Sequence, residues 1–269
     1  MDHDDALVGR LLTRREAVRL MGVAGAAGLF GSNLLAAQDR TTTCVVRPEL
    51  IEGPYFLDAS SNRSDIRVDA SSGKARDGVP LIVTLGVAQV TAGQCSPLPK
   101  AIVHMWQCDA VGVYSGVSDP QIGSGNPQDN ALRGTQQTDT SGIARFTTIY
   151  PGWYRGRAVH IHFKIRTEAS GQAYEYTSQL FFPETLTDEI HARAPYAQHG
   201  RRDTMNERDM IYREAGEQLL LRPTKTSSGY EAPLSLALDL SDAAVGRSDA
   251  EGMRGRGDRS RGGRGRGGL

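Results

Sequence analysis

The 269-residue sequence has no excess of either charge, because 31 lysines and arginines balance 31 aspartates and glutamates. A balanced chain has no global field, so its net charge does not indicate a nucleic-acid or acidic ligand. Runs with the period of an amphipathic helix are scarce, and aromatic residues make up only 6%. Glycine and proline are plentiful, with 31 and 12 residues. This composition favours a β-rich globular chain with long loops.

Cysteine is rare as well, with only Cys44, Cys95 and Cys108 in the chain. An odd number leaves one thiol over if the other two pair. Cys95 precedes a predicted strand that ends at Cys108, and seven strand residues span roughly 23 Å. A disulfide requires Cα atoms within about 7 Å, so this strand would hold Cys95 and Cys108 too far apart to pair. If a bond forms, we expect it between Cys44 and Cys95; three free thiols are the alternative.

The chain also lacks a long uninterrupted apolar run. The most apolar stretch, Leu20–Ala37, is broken by glycines and polar residues, which argues against a stable membrane span. Arg14 and Arg15 precede it, and small residues end it. This pattern resembles a bacterial twin-arginine signal. We therefore expect residues 1–37 to direct export to the periplasm or the cell exterior; an ordinary amphipathic N-terminal helix is the alternative.

The C-terminal residues 241–269 have a different composition from the rest of the chain. The stretch from Arg254 to Gly268 consists mainly of arginine and glycine and has no apolar side chain. Such a segment cannot bury a core, so we predict disorder. Arg/Gly segments bind phosphates non-specifically, but this one has no aromatic residue for base stacking. A solvated tail without a specific nucleic-acid partner is the preferred interpretation.

Residues 38–240 are predicted to form one all-β domain. Short apolar or alternating segments bounded by turn-forming residues indicate strands, and residues 185–217 favour a short helical insertion. The first two predicted strands are expected to form an antiparallel pair. Seven or more short strands favour an antiparallel β-sandwich with long loops. The predicted strands are Leu81–Val90, Ala101–Cys108, Ile143–Ile149, Ala158–Arg166, Tyr174–Phe182, Leu219–Leu221 and Leu234–Leu240.

His160 and His162 lie two residues apart in one of these predicted strands. Side chains at i and i+2 of a strand share a face, so both imidazoles could reach one centre. Neutral imidazole is the commonest protein metal ligand. The pair alone fits zinc or copper as well as iron, and it also fits two hydrogen-bonded core histidines.

Tyr114 and Tyr154 lie in glycine-flanked loops, where functional groups are often found. A phenol with an ordinary pKa of about 10 would become a phenolate beside a trication. Phenolate oxygen together with imidazole nitrogen favours Fe(III) over zinc, although each tyrosine would also fit a core or interface. Arg157 would point away from His160 on a regular strand, but near the strand entrance it could curve inward.

Several motifs resemble the intradiol ring-cleavage dioxygenases, the family of catechol 1,2- and protocatechuate 3,4-dioxygenases. The segment from Tyr154 to His162 is similar to the iron-site signature of that family. Glu52-Gly-Pro-Tyr-Phe56 is similar to its N-terminal motif, and Trp106–Gly116 to the segment with its first tyrosine ligand. The resemblance covers roughly residues 44–240. It also includes Arg133-Gly134, Thr138-Asp139, Phe146–Pro151, Thr177–Phe182 and Asn206–Asp209.

This resemblance implies a non-haem Fe(III) cofactor and, as substrates, O₂ and a small aromatic diol. The implied ligands are Tyr114, Tyr154, His160 and His162. The ring would open between its two hydroxyl-bearing carbons, with both atoms of O₂ incorporated, to give a muconate-type diacid. Tyr154 would also take a substrate proton. Arg157 would stabilise anionic intermediates, and Gln179 would face the iron as a hydrogen-bonding group.

The sequence departs from the family pattern in two places. Only five residues separate Tyr154 from His160, a shorter connection than in the cytosolic members. No long helical segment of the kind that dimerises catechol 1,2-dioxygenases precedes the sandwich. The sequence therefore resembles the exported, single-domain branch; a homodimer is compatible with it. A non-catalytic, exported β-sandwich that binds a metal or a partner is the alternative function.

Overall fold

The computed structural model describes residues 45–58, 61–119, 123–124, 126–169 and 171–240. Within these residues there are two α-helices, α1 (Glu184–His191) and α2 (Met210–Ala215), in the region of the predicted helical insertion. Single 3₁₀ turns cover Tyr196–His199, Asn206–Arg208 and Gly216–Leu219. The strands are β1 (Pro80–Thr91), β2 (Gln94–Pro97), β3 (Ile102–Trp106), β4 (Ser118–Asp119), β5 (Gly123–Ser124), β6 (Arg133–Gln137), β7 (Ile143–Ile149), β8 (His160–Ala169), β9 (Gln172–Phe181), β10 (Thr224–Lys225) and β11 (Tyr230–Asp239).

Two sheets form the sandwich. The first has the order β10-β11-β1-β2, with β7 also paired to β1, and the second has the order β6-β3-β8-β9. Inward side chains of both sheets, such as Leu85 and Phe163, belong to one hydrophobic core. The predicted all-β sandwich is therefore confirmed. The first sheet is mixed, because β1 and β11 run parallel while the other pairs in both sheets run antiparallel.

Two strand predictions are wrong. The segments Leu81–Val90 and Ala101–Cys108 do not pair, because β1 and β3 belong to different sheets. The intervening residues, predicted as a turn, contain β2, which pairs with the end of β1 before the chain crosses to the second sheet. The predicted strand Leu219–Leu221 is also absent: a 3₁₀ turn ends at Leu219, and Leu220 makes only an isolated bridge.

The cysteines fall into two chemical states. Cys95 is disulfide-bonded, whereas Cys108 is a buried free thiol. The expectation of one bond and one leftover thiol is confirmed for these two residues. Cys44, the predicted partner of Cys95, lies outside the described residues. The predicted signal segment 1–37 and the predicted tail 241–269 lie outside them as well.

The alternation of β8 separates its core residues from its polar residues. Ile161, Phe163 and Ile165 point into the sandwich core. His160 and His162 therefore lie on the outer face of the second sheet, since successive side chains alternate. Residues 45–58 and the helical insertion cover this face through contacts with β8, β9 and the preceding turn. Among the described residues, no helix has both the length and the apolar character needed to span a membrane.

Candidate metal centre

The two histidines meet on the covered outer face of the second sheet. Both side chains are buried, and their Nε2 atoms lie 2.9 Å apart. The Nδ1 atom of His160 lies 2.7 Å from the carbonyl oxygen of Ala158. A carbonyl only accepts hydrogen bonds, so Nδ1 carries the proton and Nε2 keeps its lone pair. His160 is thus held in the tautomer that can bind a metal through Nε2.

Two tyrosines approach the histidines from separate loops. The hydroxyl of Tyr154, in the turn before β8, lies 3.3 Å from Nε2 of His160. Tyr114, in the loop after β3, is fully buried, and its ring centre lies 5.7 Å from that of Tyr154 and 6.3 Å from that of His162. The structure therefore brings together all four residues predicted as ligands.

The Tyr114 loop depends on a glycine at its start. Gly112 has a φ of +84°, in the region that side chains disfavour, and a Cβ there would lie 2.2 Å from the carbonyl oxygen of Trp153. A larger residue would force the loop away from the turn that contains Trp153 and Tyr154. This close backbone approach fixes the loop of the first tyrosine against that of the second.

Burial keeps all four side chains neutral in the metal-free protein. It lowers the pKa of His160 and of His162 well below the ordinary histidine value. It raises the pKa of the Tyr114 and Tyr154 phenols above the ordinary value near 10. The cluster thus consists of uncharged donors that a cation could deprotonate or bind directly.

Unsatisfied polar atoms test whether these residues fit a metal. The Tyr114 hydroxyl interacts electrostatically with Tyr154, but within the described residues it has no hydrogen bond of normal geometry. Nδ1 of His162 also has none. Buried polar groups are nearly always paired, so an unpaired phenol beside two imidazoles fits a site for a cation. The described residues contain no group of three or more His, Cys, Asp or Glu side chains that could hold a metal. The cluster of Tyr114, Tyr154, His160 and His162 differs from such groups because two of its four donors are phenols.

Arg157 reaches the cluster from the turn before β8. Its Nη1 lies 3.3 Å from the Tyr154 hydroxyl, and its Nη2 donates to Oε1 of Gln179 over 2.6 Å. Since β8 begins only at His160, strand alternation does not apply to Arg157. Its side chain points inward, which is one of the two orientations that the sequence left open, and its guanidinium lies beside the phenol oxygen.

Asp209 fixes that guanidinium, a role that the sequence did not reveal. This buried carboxylate accepts from Nε of Arg157 over 2.9 Å and from the Ala158 amide over 2.7 Å. It also caps α2 by accepting from the amides of Ile211 and Tyr212. An aspartate before a helix-forming stretch is an N-cap signal, but its contact with Arg157 depends on tertiary structure.

Gln179 shares the face of His162, as predicted, and lies opposite it on β9. Its amide is held at both ends: Oε1 accepts from Arg157, and Nε2 donates to the carbonyl oxygen of Ile51 over 3.0 Å. Gln179 therefore connects the guanidinium to the segment that covers the cluster.

Two further aromatic residues enclose the cluster. The indole ring of Trp106 stacks on His162, with ring centres 4.9 Å apart and planes 7° from parallel. The ring of Tyr55 lies 4.7 Å from that of Tyr114 and 6.0 Å from that of Tyr154. The Tyr55 hydroxyl donates to Oδ2 of Asp119, and burial, with a smaller effect of that carboxylate, raises its pKa to about 12. The cluster is thus screened from water on its aromatic side. Both residues lie in recognised motifs, but no role was predicted for them.

The family model described as Dioxygenase matches residues 51–219, a range that includes all four residues of the cluster. The chain belongs to the intradiol ring-cleavage dioxygenases, enzymes that open the ring of catechol-type aromatics. The family resemblance stated from the motifs is confirmed.

Of two similar solved structures, the first supports the same assignment and the second shows the same fold. An intradiol ring-cleavage dioxygenase from Tetranychus urticae is 34% identical, with a TM-score of 0.62 over 73% of this chain and 95% of that chain. A hydroxyquinol 1,2-dioxygenase from Pseudomonas putida is 18% identical, with a TM-score of 0.51 over 74% of this chain and 68% of that chain. The second likeness concerns the fold alone.

Proposed function

We propose that this dioxygenase uses non-haem Fe(III) to cleave a small aromatic diol between its two hydroxyl-bearing carbons. Both atoms of O₂ would enter the product, a muconate-type diacid. Tyr114, Tyr154, His160 and His162 would hold the iron. The observation that carries this proposal is the convergence of two buried imidazoles with two buried phenols. When bound at these four residues, the iron would supply the Lewis-acid chemistry that activates the diol toward O₂.

The ligand chemistry supports iron rather than zinc. Zinc sites in proteins use Cys, His and carboxylate ligands, whereas phenolate is a hard anionic donor suited to a trication. Both phenols are buried, which disfavours their anionic forms in the absence of a cation. Their ionisation is therefore linked to occupation of the site by a strongly positive ion.

Tyr154 is suited to accept a proton from the substrate. Its oxygen lies within 3.3 Å of both Nε2 of His160 and Nη1 of Arg157, whereas the Tyr114 hydroxyl has no hydrogen bond to either. As a phenolate, Tyr154 could take a substrate proton and remain hydrogen-bonded to the guanidinium. The two tyrosines therefore have different roles, Tyr154 as ligand and base and Tyr114 as ligand only.

Arg157 would stabilise negative charge on the substrate and on the opening ring. Asp209 and Gln179 hold its guanidinium by separate nitrogens, so its charge is oriented before the substrate binds. Fixed charges of this kind need little reorganisation during reaction. In this proposal Gln179 and Asp209 are positioning residues, and Gln179 also adds an amide beside the substrate.

Purified protein tests this function directly. We expect a red-brown, iron-containing protein that consumes O₂ with catechol, hydroxyquinol or protocatechuate, because phenolate-to-Fe(III) charge transfer absorbs visible light. The shortened Tyr154–His160 connection supports an open site for substituted catechols, and turnover of unsubstituted catechol alone would oppose that part. The non-catalytic alternative, which family membership disfavours, predicts no turnover. A colourless protein with iron verified in the site would contradict the assignment of the tyrosines.

We also propose that residues 1–37 direct export through a twin-arginine pathway. The support is the sequence pattern, with Arg14 and Arg15 ahead of a weakly apolar run. Replacing both arginines by lysine in the full chain should move the protein from the periplasmic or extracellular fraction to the cytoplasm of a bacterial host. Unchanged export of that variant would contradict the proposal.

A further inference from the structure

A charged cluster lies on the same outer face as the uncharged metal-ligand cluster, beyond the histidines. Lys164 follows His162 by two residues on β8, so its side chain shares that face. Its side chain is only 3% exposed, and its ammonium forms ion pairs with both Glu52 and Glu175. The ammonium also lies 4.4 Å from the centre of the Phe56 ring. The proposed reaction uses none of these charges.

The two carboxylates come from different parts of the fold. Glu175 belongs to β9, the neighbour of β8 in the same sheet, and also pairs with Arg166. Glu52 belongs to the covering segment, defined as residues 45–58, which forms no named strand or helix. The Lys164–Glu52 pair therefore joins the covering segment to the strand of the two histidines, whereas Lys164–Glu175 joins two strands that are already paired.

The residues that follow Glu52 pack directly on the proposed metal ligands. Gly53 has a φ of +75°, and a Cβ there would lie 3.3 Å from Cε1 of His162. Tyr55 packs on Tyr114 and Tyr154. Phe56 lies 4.9 Å from Trp106, ring centre to ring centre, and Trp106 stacks on His162. A displacement of residues 52–56 would thus uncover three of the four ligands.

We propose that the Lys164–Glu52 ion pair is a clamp that holds residues 52–56 over the metal-ligand cluster. Lys164 and Glu52 are then positioning residues for the ring-cleavage site. The Lys164 side chain is buried beside Phe56, and Glu52 is the carboxylate through which it holds the covering segment. Without that carboxylate the ammonium stays paired with Glu175, but this ion pair between the segment and β8 is lost. Water would enter beside Phe56, and the segment would lift. The link to iron rests on the proposed function, but the clamp itself is a property of the metal-free chain.

Glu52→Gln and Glu175→Gln form a matched pair for the test. Each removes one carboxylate from the same ammonium and leaves the other in place, but only Glu52 lies on the covering segment. The readout is acrylamide quenching of Trp106 fluorescence in metal-free protein. The chain has two tryptophans, so all variants carry Trp153→Phe, which leaves Trp106 as the single emitter.

We expect the quenching constant of Trp106 to rise about threefold in Glu52→Gln, as local opening exposes the indole. It should stay at the parent value in Glu175→Gln. Unchanged quenching in Glu52→Gln, or an equal rise in both variants, would overturn the clamp. If Glu52→Gln does not fold, Glu52→Asp, which keeps the charge but shortens its reach, should show a smaller rise that Glu175→Asp lacks.

A second readout separates this inference from the proposed function. In iron-loaded protein, Glu52→Gln should shift the visible band and raise KM more than it lowers kcat. Glu175→Gln should leave the visible band, KM and kcat unchanged. The quenching experiment needs neither iron nor turnover. A failed clamp and a failed iron assignment would therefore give different results.

Discussion

Replacing Tyr154 by phenylalanine is expected to shift or bleach the visible colour and to lower turnover at least about 10²-fold. The variant keeps the ring that packs against Tyr55 but loses the oxygen that lies 3.3 Å from His160 and from Arg157. That oxygen is both a proposed ligand and the proposed base, and proton transfer by a positioned side chain contributes about 10²–10⁴ in rate. Iron content, the visible spectrum and kcat measure the effect.

Tyr55→Phe is the matched control for this variant. Tyr55 is a third buried phenol in the same aromatic cluster, but its hydroxyl bonds to Asp119 rather than to the histidines. We expect Tyr55→Phe to keep the iron and its colour. If Tyr154→Phe kept the wild-type spectrum and rate, or if Tyr55→Phe lost the colour equally, the assignment of Tyr154 would be wrong.

Replacing Arg157 by methionine is expected to lower kcat by about 10²–10³ while iron and colour are retained. Loss of one preorganised group that stabilises developing charge has effects of this size. The variant removes the guanidinium that contacts the Tyr154 hydroxyl and leaves the proposed ligands in place. Steady-state kinetics with catechol, together with iron analysis of the same samples, give the measurement.

Arg155→Met provides the control, since Arg155 lies two residues earlier in the same turn and is exposed. It should keep wild-type kcat and iron content. A normal kcat in Arg157→Met would refute the electrostatic role. Loss of iron in that variant would show that Arg157 maintains the metal site and would contradict its assignment to the chemistry alone.

The strands were predictable where a local pattern decides the structure. In β8, the alternation of His160, Ile161 and His162 assigns the imidazoles to one face and the apolar side chain to the other, as observed. The pairing of β1 was not predictable in this way, because its alternation does not specify a partner. The strand β6, with the sequence Arg133-Gly-Thr-Gln-Gln137, lacks apolar side chains, so hydrophobic periodicity gave no signal for it.

The candidate site likewise has residues that the sequence predicts and contacts that it does not. Tyr114, Tyr154, His160 and His162 were found through motifs and spacing, and the fold brings them together. The contact of Asp209 with Arg157 joins residues 52 positions apart, and the Lys164–Glu52 pair joins β8 to the covering segment. Such contacts depend on how loops return to the sheet, which neither propensity nor periodicity specifies.

The most direct test of the central claim is the turnover of catechol under ¹⁸O₂, with mass analysis of the product. The account predicts a muconate-type diacid, opened between the two hydroxyl-bearing carbons, with one labelled oxygen atom at each new carboxyl group. A ring opened beside the hydroxyl-bearing carbons, or a product with only one labelled atom, would contradict it.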